Sequence, residues 1–187
     1  MITIYIGKSG AGKDTFCKKR VRTGSKPIIS YTTRPIRTGE INGVDYNYVT
    51  DEEFFNLINN DSLMEFRHYN TLFDGKPAVW YYGSPKVDTA YEYSCVVDIN
   101  GAISYIKTYG PENINIVYVA VDDDIRVERA KTRGTFSEEE WNRRLIDDNE
   151  KFSIERLEYL ARMLDKPITI INNNGDKPLF SKLECHD

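Results

Sequence analysis

The chain has 187 residues, 40% of them apolar and 29% charged, the proportions of a soluble globular domain rather than a disordered or fibrous one. Its 25 basic and 29 acidic residues leave a net charge of −4, which argues against nucleic acid as a partner bound by net charge but allows a local basic pocket. Cys17, Cys95 and Cys185 are too widely spaced for a metal pair or a disulfide framework and read as idle thiols in a reducing compartment. The N-terminal residues lack the basic-then-apolar pattern of a signal peptide, and no run approaches the roughly 20 apolar residues of a membrane span. The expected location is the cytoplasm, with no membrane partner.

In chain order, Ile2–Ile6 is a short β-branched strand that stops at Gly7, and Asp14–Arg22 reads as a helix. Ser30 to Pro85 is rich in Tyr, Thr, Asn and Gly, with short alternating strands such as Val44–Val49. Thr50 and Glu53 form a capping box ahead of Phe54, Phe55, Leu57 and Ile58. A second apolar strand, Ser94–Ile99, precedes a helix carrying Ile103, Tyr105 and Ile106 that Gly110-Pro111 stops. Ile114–Val121 is a third strand, with Asp122-Asp123-Asp124 capping the next helix. A second capping box, Ser137 with Glu140, opens one long helix whose buried side carries Trp141, Leu145, Phe152, Leu160 and Leu164. Ile168–Ile171 is a fourth strand, bounded by Pro167 and by Asn172-Asn173-Asn174-Gly175. Continuous apolar strands alternating with helices predict an α/β fold, a parallel sheet covered on both faces, with the middle segment as a small mixed α+β insertion.

Gly7-Lys8-Ser9-Gly10-Ala11-Gly12-Lys13 satisfies G-x-x-x-x-G-K between a strand and a helix, the context that motif requires. The glycines let backbone N–H groups turn toward phosphate oxygens, the helix N-terminus adds partial positive charge, and Lys13 reaches the β/γ oxygens of a nucleoside triphosphate. The residue after the lysine is usually Ser or Thr, whose hydroxyl ligates Mg²⁺. Here it is Asp14, followed by Thr15, and either can serve a hard cation.

Farther on, Ser30-Tyr31-Thr32-Thr33-Arg34-Pro35-Ile36-Arg37-Thr38-Gly39-Glu40, then Gly43-Val44-Asp45-Tyr46, concentrates phosphate-binding chemistry. Arg34 and Arg37 with Tyr46 can clamp a phosphate by charge-assisted hydrogen bonds, and Glu40 can orient the guanidinium groups.

This segment resembles the guanylate kinase family, which has S-x-T-T-R-x-P-R-x-G-E…G-x-D-Y at this place. Ser30, Thr32, Thr33, Arg34, Arg37, Gly39, Glu40, Gly43, Asp45 and Tyr46 stand in register, with Pro35 displaced by one. The likeness continues through Met64-Glu65-Phe66, Tyr81-Tyr82-Gly83-Ser84, Asp98-Ile99 and Arg133-Gly134-Thr135. It implies a P-loop fold and phosphoryl transfer from ATP, with Mg²⁺, to GMP or dGMP. The ATP site would be residues 7–15, with Asn172 bordering the adenine. Arg34, Arg37, Tyr46 and Tyr82 would hold the GMP phosphate, with Glu40 beside the arginines. Glu65, Ser30 and Ser84 would lie near guanine, and Asp98 would act toward the base or through Mg²⁺-bound water. Arg133 and Arg144 would belong to a lid that neutralises charge on the transferring group. The implied organisation is a core of 1–29, 87–132 and 146–187, an acceptor insertion of 30–86 and a lid of 133–145.

Guanine offers N1–H and an amino group side by side, which one carboxylate accepts together, whereas adenine presents a bare acceptor there. No general base is needed, because the acceptor is an anionic phosphate oxygen; His68 and His186 accordingly read as surface residues. The sequence departs from the family at Asn100, where the D-I-D pattern has its second carboxylate, and in extra chain at Asn70–Val79 turning at Asp74-Gly75. These departures leave as alternatives a ribose 1,5-bisphosphate phosphokinase or a deoxynucleoside monophosphate kinase of the same fold. A catalytically inactive guanylate-kinase-like protein-binding module is a further alternative, against which the intact cradle argues.

Overall fold

A computed structural model describes residues 1–73, 76–132, 138–175 and 178–183. In chain order these form β1 (Ile2–Ile6), α1 (Lys13–Arg22), β2 (Lys26–Pro27), β3 (Tyr31–Thr32), β4 (Asn47–Tyr48) and α2 (Asp51–Asn59). There follow β5 (Leu63–Phe73), β6 (Lys76–Pro85), β7 (Tyr93–Val96), α3 (Ile99–Tyr109), β8 (Ile114–Ala120) and α4 (Asp123–Lys131). The chain ends in α5 (Glu138–Lys151), α6 (Ile154–Leu164), β9 (Ile168–Asn172) and β10 (Leu179–Leu183). Contacts divide it into two units, Met1–Lys26 with Thr89–Asp187, and Pro27–Asp88.

The larger unit is built on a sheet of order β10-β9-β8-β1-β7-β2. β1 runs parallel to both β7 and β8, and β8 parallel to β9. Every residue of β1 is buried, as a central parallel strand covered on both faces requires. Ile2, Ile4 and Ile6 join Ile114, Val119, Ile168, Tyr105 and Leu160 in the core. This is the α/β architecture expected from the alternating strands and helices.

Three boundaries differ from expectation. The apolar run Ser94–Ile99 is a strand only to Val96, because Asp98 accepts from the Gly101 N–H at 2.9 Å and caps α3, which already includes Ile99. The long helix is two helices: Ser153 takes an extended conformation and its carbonyl accepts from the Leu157 N–H, starting α6 anew. The apolar period continues across that break, which is why the pattern conceals it. β10 was not expected at all; it pairs antiparallel with β9 and leaves Leu179 and Phe180 exposed. Asp122 holds the N-cap position of α4 without a side-chain cap bond. The expected capping box at Ser137 lies outside the described residues.

The smaller unit is a sheet of order β4-β3-β6-β5 with α2. Of the expected strand Val44–Val49, Asn47–Tyr48 pairs parallel to β3, and Tyr46 makes an isolated bridge with Asn42. The Thr50–Glu53 capping box has both of its bonds, and Phe54 on α2 is fully buried. β5 and β6 form a long antiparallel ribbon from Leu63↔Pro85 out to Phe73↔Lys76, so the extra chain at Asn70–Val79 lengthens a hairpin. Its expected turn, Asp74-Gly75, is outside the described residues.

Candidate active site

In the larger unit, β1 ends at Gly7 and the chain turns through the cradle into α1. Gly7 has φ +147, and a Cβ there would meet the Val119 carbonyl oxygen at 2.4 Å. Gly12, at φ +91, is the N-cap of α1, and a Cβ there would meet Asn173 Nδ2 at 2.8 Å. Both positions therefore require glycine on conformational and steric grounds. No side chain caps α1, and the Lys13 ammonium donates to the Lys8 carbonyl at 3.0 Å, folded back over the loop. Asp14 and Thr15 are exposed on the first turn of α1. Burial pushes the Cys17 thiol up to about 11, and the Asp14 charge adds to that, so this cysteine is protonated at neutral pH.

The cradle is held from outside by groups the motif does not contain. Asn173 donates from Nδ2 to the Ala11 carbonyl at 2.9 Å and from its backbone to Ala120 at 2.8 Å. Its own carbonyl accepts from Arg129 at 2.8 Å. Asn172, the residue expected beside the adenine, is exposed at the end of β9, and its neighbour makes the contact with the loop. Arg126 and Asp148, both buried, meet at Ser9. Neither stood out in the sequence, because each sits in a charged helical stretch that reads as a solvated face.

In the smaller unit, Arg34 is 4% exposed, and its guanidinium donates to both Glu40 oxygens at 2.8 and 3.0 Å. Glu40 also accepts from the Tyr48 hydroxyl at 2.7 Å and from the Arg37 N–H at 2.8 Å. Burial alone would raise the Glu40 carboxyl; the Arg34 bond, then Tyr48 and the Arg37 amide, outweigh it and hold the group down at about 2. Burial, then the hydrogen bond to Glu40 and the Glu40 charge, push Tyr48 up to about 12. Burial opposes the charge on Arg34, and the Glu40 bond more than reverses that, raising its pKa. Glu40 thus orients the Arg34 guanidinium but only the main chain of Arg37, whose exposed side chain is left outward.

Tyr46 and Tyr48 lie edge-on with ring centres 5.9 Å apart, and the Arg34 guanidinium is 5.6 Å from each ring. Tyr82 closes edge-on to Tyr46 at 5.9 Å. Tyr48 is an addition to the expected set; the alternation Tyr46-Asn47-Tyr48, which puts the two rings on one side, was the available signal. Glu65 pairs with Ser84 across the ribbon, where Arg67 pairs with Tyr82. The buried Ser84 hydroxyl donates to Glu65 at 2.8 Å, with Ser30 Oγ 3.5 Å from Ser84 Oγ.

A family model described as Guanylate kinase matches residues 2–166. The chain belongs to the guanylate kinase family. The guanylate kinase of Caldanaerobacter subterraneus subsp. tengcongensis is 31% identical over 185 residues, covering 95% of this chain and 82% of that one. The guanylate kinase of Neisseria gonorrhoeae is 33% identical over 151 residues, covering 77% and 70%. A crystal structure of guanylate kinase from Anaplasma phagocytophilum has a TM-score of 0.50 and 20% identity, covering 83% of this chain and 88% of that one, a likeness of fold.

Within this guanylate kinase family member, Ser30, Arg34, Glu40, Tyr46, Glu65, Tyr82 and Ser84 come together in the smaller unit, with Arg37 at its surface. Asp98, expected with them, belongs to the larger unit and caps α3. Asn100 accepts from Arg156 on α6 at 2.7 Å, so the amide that replaces the family carboxylate joins two helices. Arg144 is exposed on α5, and Arg133 lies outside the described residues, as does His186. His68 is exposed on β5. No helix among the described residues is long and apolar enough to cross a membrane.

Proposed function

We propose that this chain transfers the γ-phosphoryl group of ATP to GMP or dGMP, giving ADP and GDP or dGDP. The observation that carries the reading is the single face of the smaller unit on which Glu65 and Ser84 stand beside Tyr82, Tyr46 and Arg34. In a strand, residues two apart share a face, so Ser84 and Tyr82 are side by side. That juxtaposes a carboxylate suited to the N1–H and amino group of guanine with a guanidinium and phenols suited to a phosphate.

The residues then divide the work. The loop from Gly7 to Lys13 takes the triphosphate, with Lys13 moving from the Lys8 carbonyl onto the β/γ oxygens. Arg34, Arg37, Tyr46 and Tyr82 hold the acceptor phosphate, and Glu40 fixes Arg34 among them. Arg144 and Arg133 stabilise the developing charge. The acceptor oxygen is already anionic, so no side chain removes a proton. The smaller unit is the acceptor unit, and the larger one binds ATP.

Asp14 and Thr15 suit Mg²⁺, which keeps most of its shell as water and phosphate oxygens and needs only one or two protein ligands. Among the described residues there is no cluster of three or more His, Cys, Asp or Glu that could hold a metal. When bound, the ion would screen charge on the triphosphate.

A coupled assay of ADP release with ATP, Mg²⁺ and a panel of GMP, dGMP, AMP and ribose 1,5-bisphosphate tests the assignment. Turnover with GMP or dGMP and not with the others is expected. Turnover confined to ribose 1,5-bisphosphate, or none with any acceptor, would overturn it.

A further inference from the structure

Arg126 is the bulkiest fully buried side chain among the described residues, and the transfer reaction described above assigns it no task. It projects from α4 into the underside of the cradle. Nε donates to the Ser9 carbonyl at 2.6 Å, one terminal nitrogen bonds Asp123, and the other bonds Asp148 on α5. Asp148 accepts in turn from the Ser9 N–H at 2.8 Å and from the Ser9 hydroxyl at 3.3 Å. The Trp141 ring covers the guanidinium, 5.4 Å from its carbon. Lys8 extends the network, bonding Asn149 Oδ1 at 2.5 Å and lying 3.5 Å from Asp123.

We propose that Arg126 and Asp148 are positioning residues for the triphosphate, a clasp that sets the cradle at Ser9 and anchors the helix carrying Arg144 to it. Three physical points lead there. First, both backbone groups of Ser9 are committed, its carbonyl to Arg126 and its amide to Asp148, so the peptides on either side of it are fixed. The Ala11 N–H is committed as well, to the Lys8 carbonyl at 3.2 Å, so the loop around Ser9 is pinned at three main-chain groups. Second, the Asp148 carboxylate lies against a loop built to receive anions. It is compatible with a triphosphate only while Arg126 neutralises it; without Arg126 a buried carboxylate would face the ligand with only the neutral Ser9 donors beside it and would repel the anion. Third, Asp148 lies four residues after Arg144, on the same stripe of α5. Fixing Asp148 on Ser9 therefore fixes the rotation of the helix that presents Arg144.

The proposal rests on the transferase reading for its kinetic arm, so its test includes a binding arm that needs no acceptor. ATP affinity is measured by calorimetry without GMP, alongside the Michaelis constants for ATP and GMP and thermal stability, for Arg126→Met, Asp148→Asn and Arg126→Met/Asp148→Leu. Arg126→Met should weaken ATP at least tenfold, in binding and in Michaelis constant, with the GMP constant within twofold of wild type. Asp148→Asn, which removes the charge but keeps an acceptor for Ser9, should weaken ATP less than Arg126→Met does. The double variant replaces the ion pair with apolar side chains and should recover thermal stability. Its ATP affinity should stay at least tenfold weak, because Ser9 is no longer held.

Recovery of ATP affinity together with stability in the double variant would reduce the clasp to a packing feature and overturn the proposal. Equal loss for GMP and ATP in Arg126→Met would do the same. Should Arg126→Met fail to fold, the double variant decides alone. Absence of GMP turnover in the wild type would count against the transferase reading, and the calorimetric comparison would still test the clasp.

Discussion

The Ser84 hydroxyl donates to Glu65 Oε1 at 2.8 Å across the β5–β6 pair. One carboxylate oxygen is thereby oriented from below by a buried donor, and the group presents an acceptor pair of fixed direction. Replacing Glu65 with Gln puts an N–H where guanine also donates. The expected result is a rise of about 5–150-fold in the GMP Michaelis constant, from about 1–3 kcal/mol for a bidentate base contact, with relaxed discrimination against AMP. Steady-state kinetics with both nucleotides measure it; an unchanged GMP constant would remove Glu65 from the base site.

Glu40 ties Arg34, Tyr48 and the Arg37 amide together, and its carboxyl titrates at about 2 in the fold against an ordinary 4.5. A carboxylate held below its unfolded value stabilises the native state fully above that value and loses the effect as pH falls through the folded one. Wild type should therefore melt higher than Glu40→Gln at pH 6. The gap should narrow below about pH 4.5 and close near pH 2. Thermal melts of both proteins across that range check the sign, and a gap independent of pH would contradict it.

The Lys13 ammonium donates to the Lys8 carbonyl at 3.0 Å, and in the proposed transfer it moves onto the triphosphate. Lys13→Ala should lower kcat by at least about 10²–10³-fold, as loss of a preorganised charge donor does. GMP affinity should be spared. Titration of GMP into the variant checks the second part, and comparable loss of GMP binding would contradict this division between the units.

Asn173 supports the cradle from the end of β9, and Asn173→Ala would leave the buried Ala11 carbonyl without that donor. An unsatisfied buried acceptor costs about 1–3 kcal/mol. The variant should melt lower than wild type and bind ATP more weakly, with the GMP Michaelis constant little changed. Melting curves and ATP titration measure both. An ATP affinity equal to that of wild type would show that the Ala11 peptide is held without Asn173.

What could be read from the residues alone was what is encoded locally. Ile2–Ile6 followed by Gly7–Lys13 specifies strand, turn and helix within thirteen positions, and Thr50 with Glu53 marks a helix start by direct bonds between neighbours in sequence. Features resting on distant pairs were not readable. Arg126 and Asp148 are 22 residues apart in charged helices, and nothing local marks them as buried. The same holds for Asn173, which differs from Asn172 and Asn174 only by the direction the chain takes after β9. The break between α5 and α6 was hidden because Phe152 and Leu160 keep the apolar period across Ser153. β10 escaped notice because an edge strand with exposed side chains has no apolar alternation to betray it.

The β5–β6 ribbon has a base and a tip of different strength. At Tyr82 and Gly83 it is flanked by β3, whereas from Tyr69–Phe73 and Lys76–Trp80 the two strands have, among the described residues, only each other and edge contacts such as Phe73 with Trp80. A two-stranded ribbon in water is marginal by itself. Amide protons near the tip will therefore exchange with solvent through local fraying, long before those beside Tyr82, and the end beside β3 can stay ordered while the far end breathes.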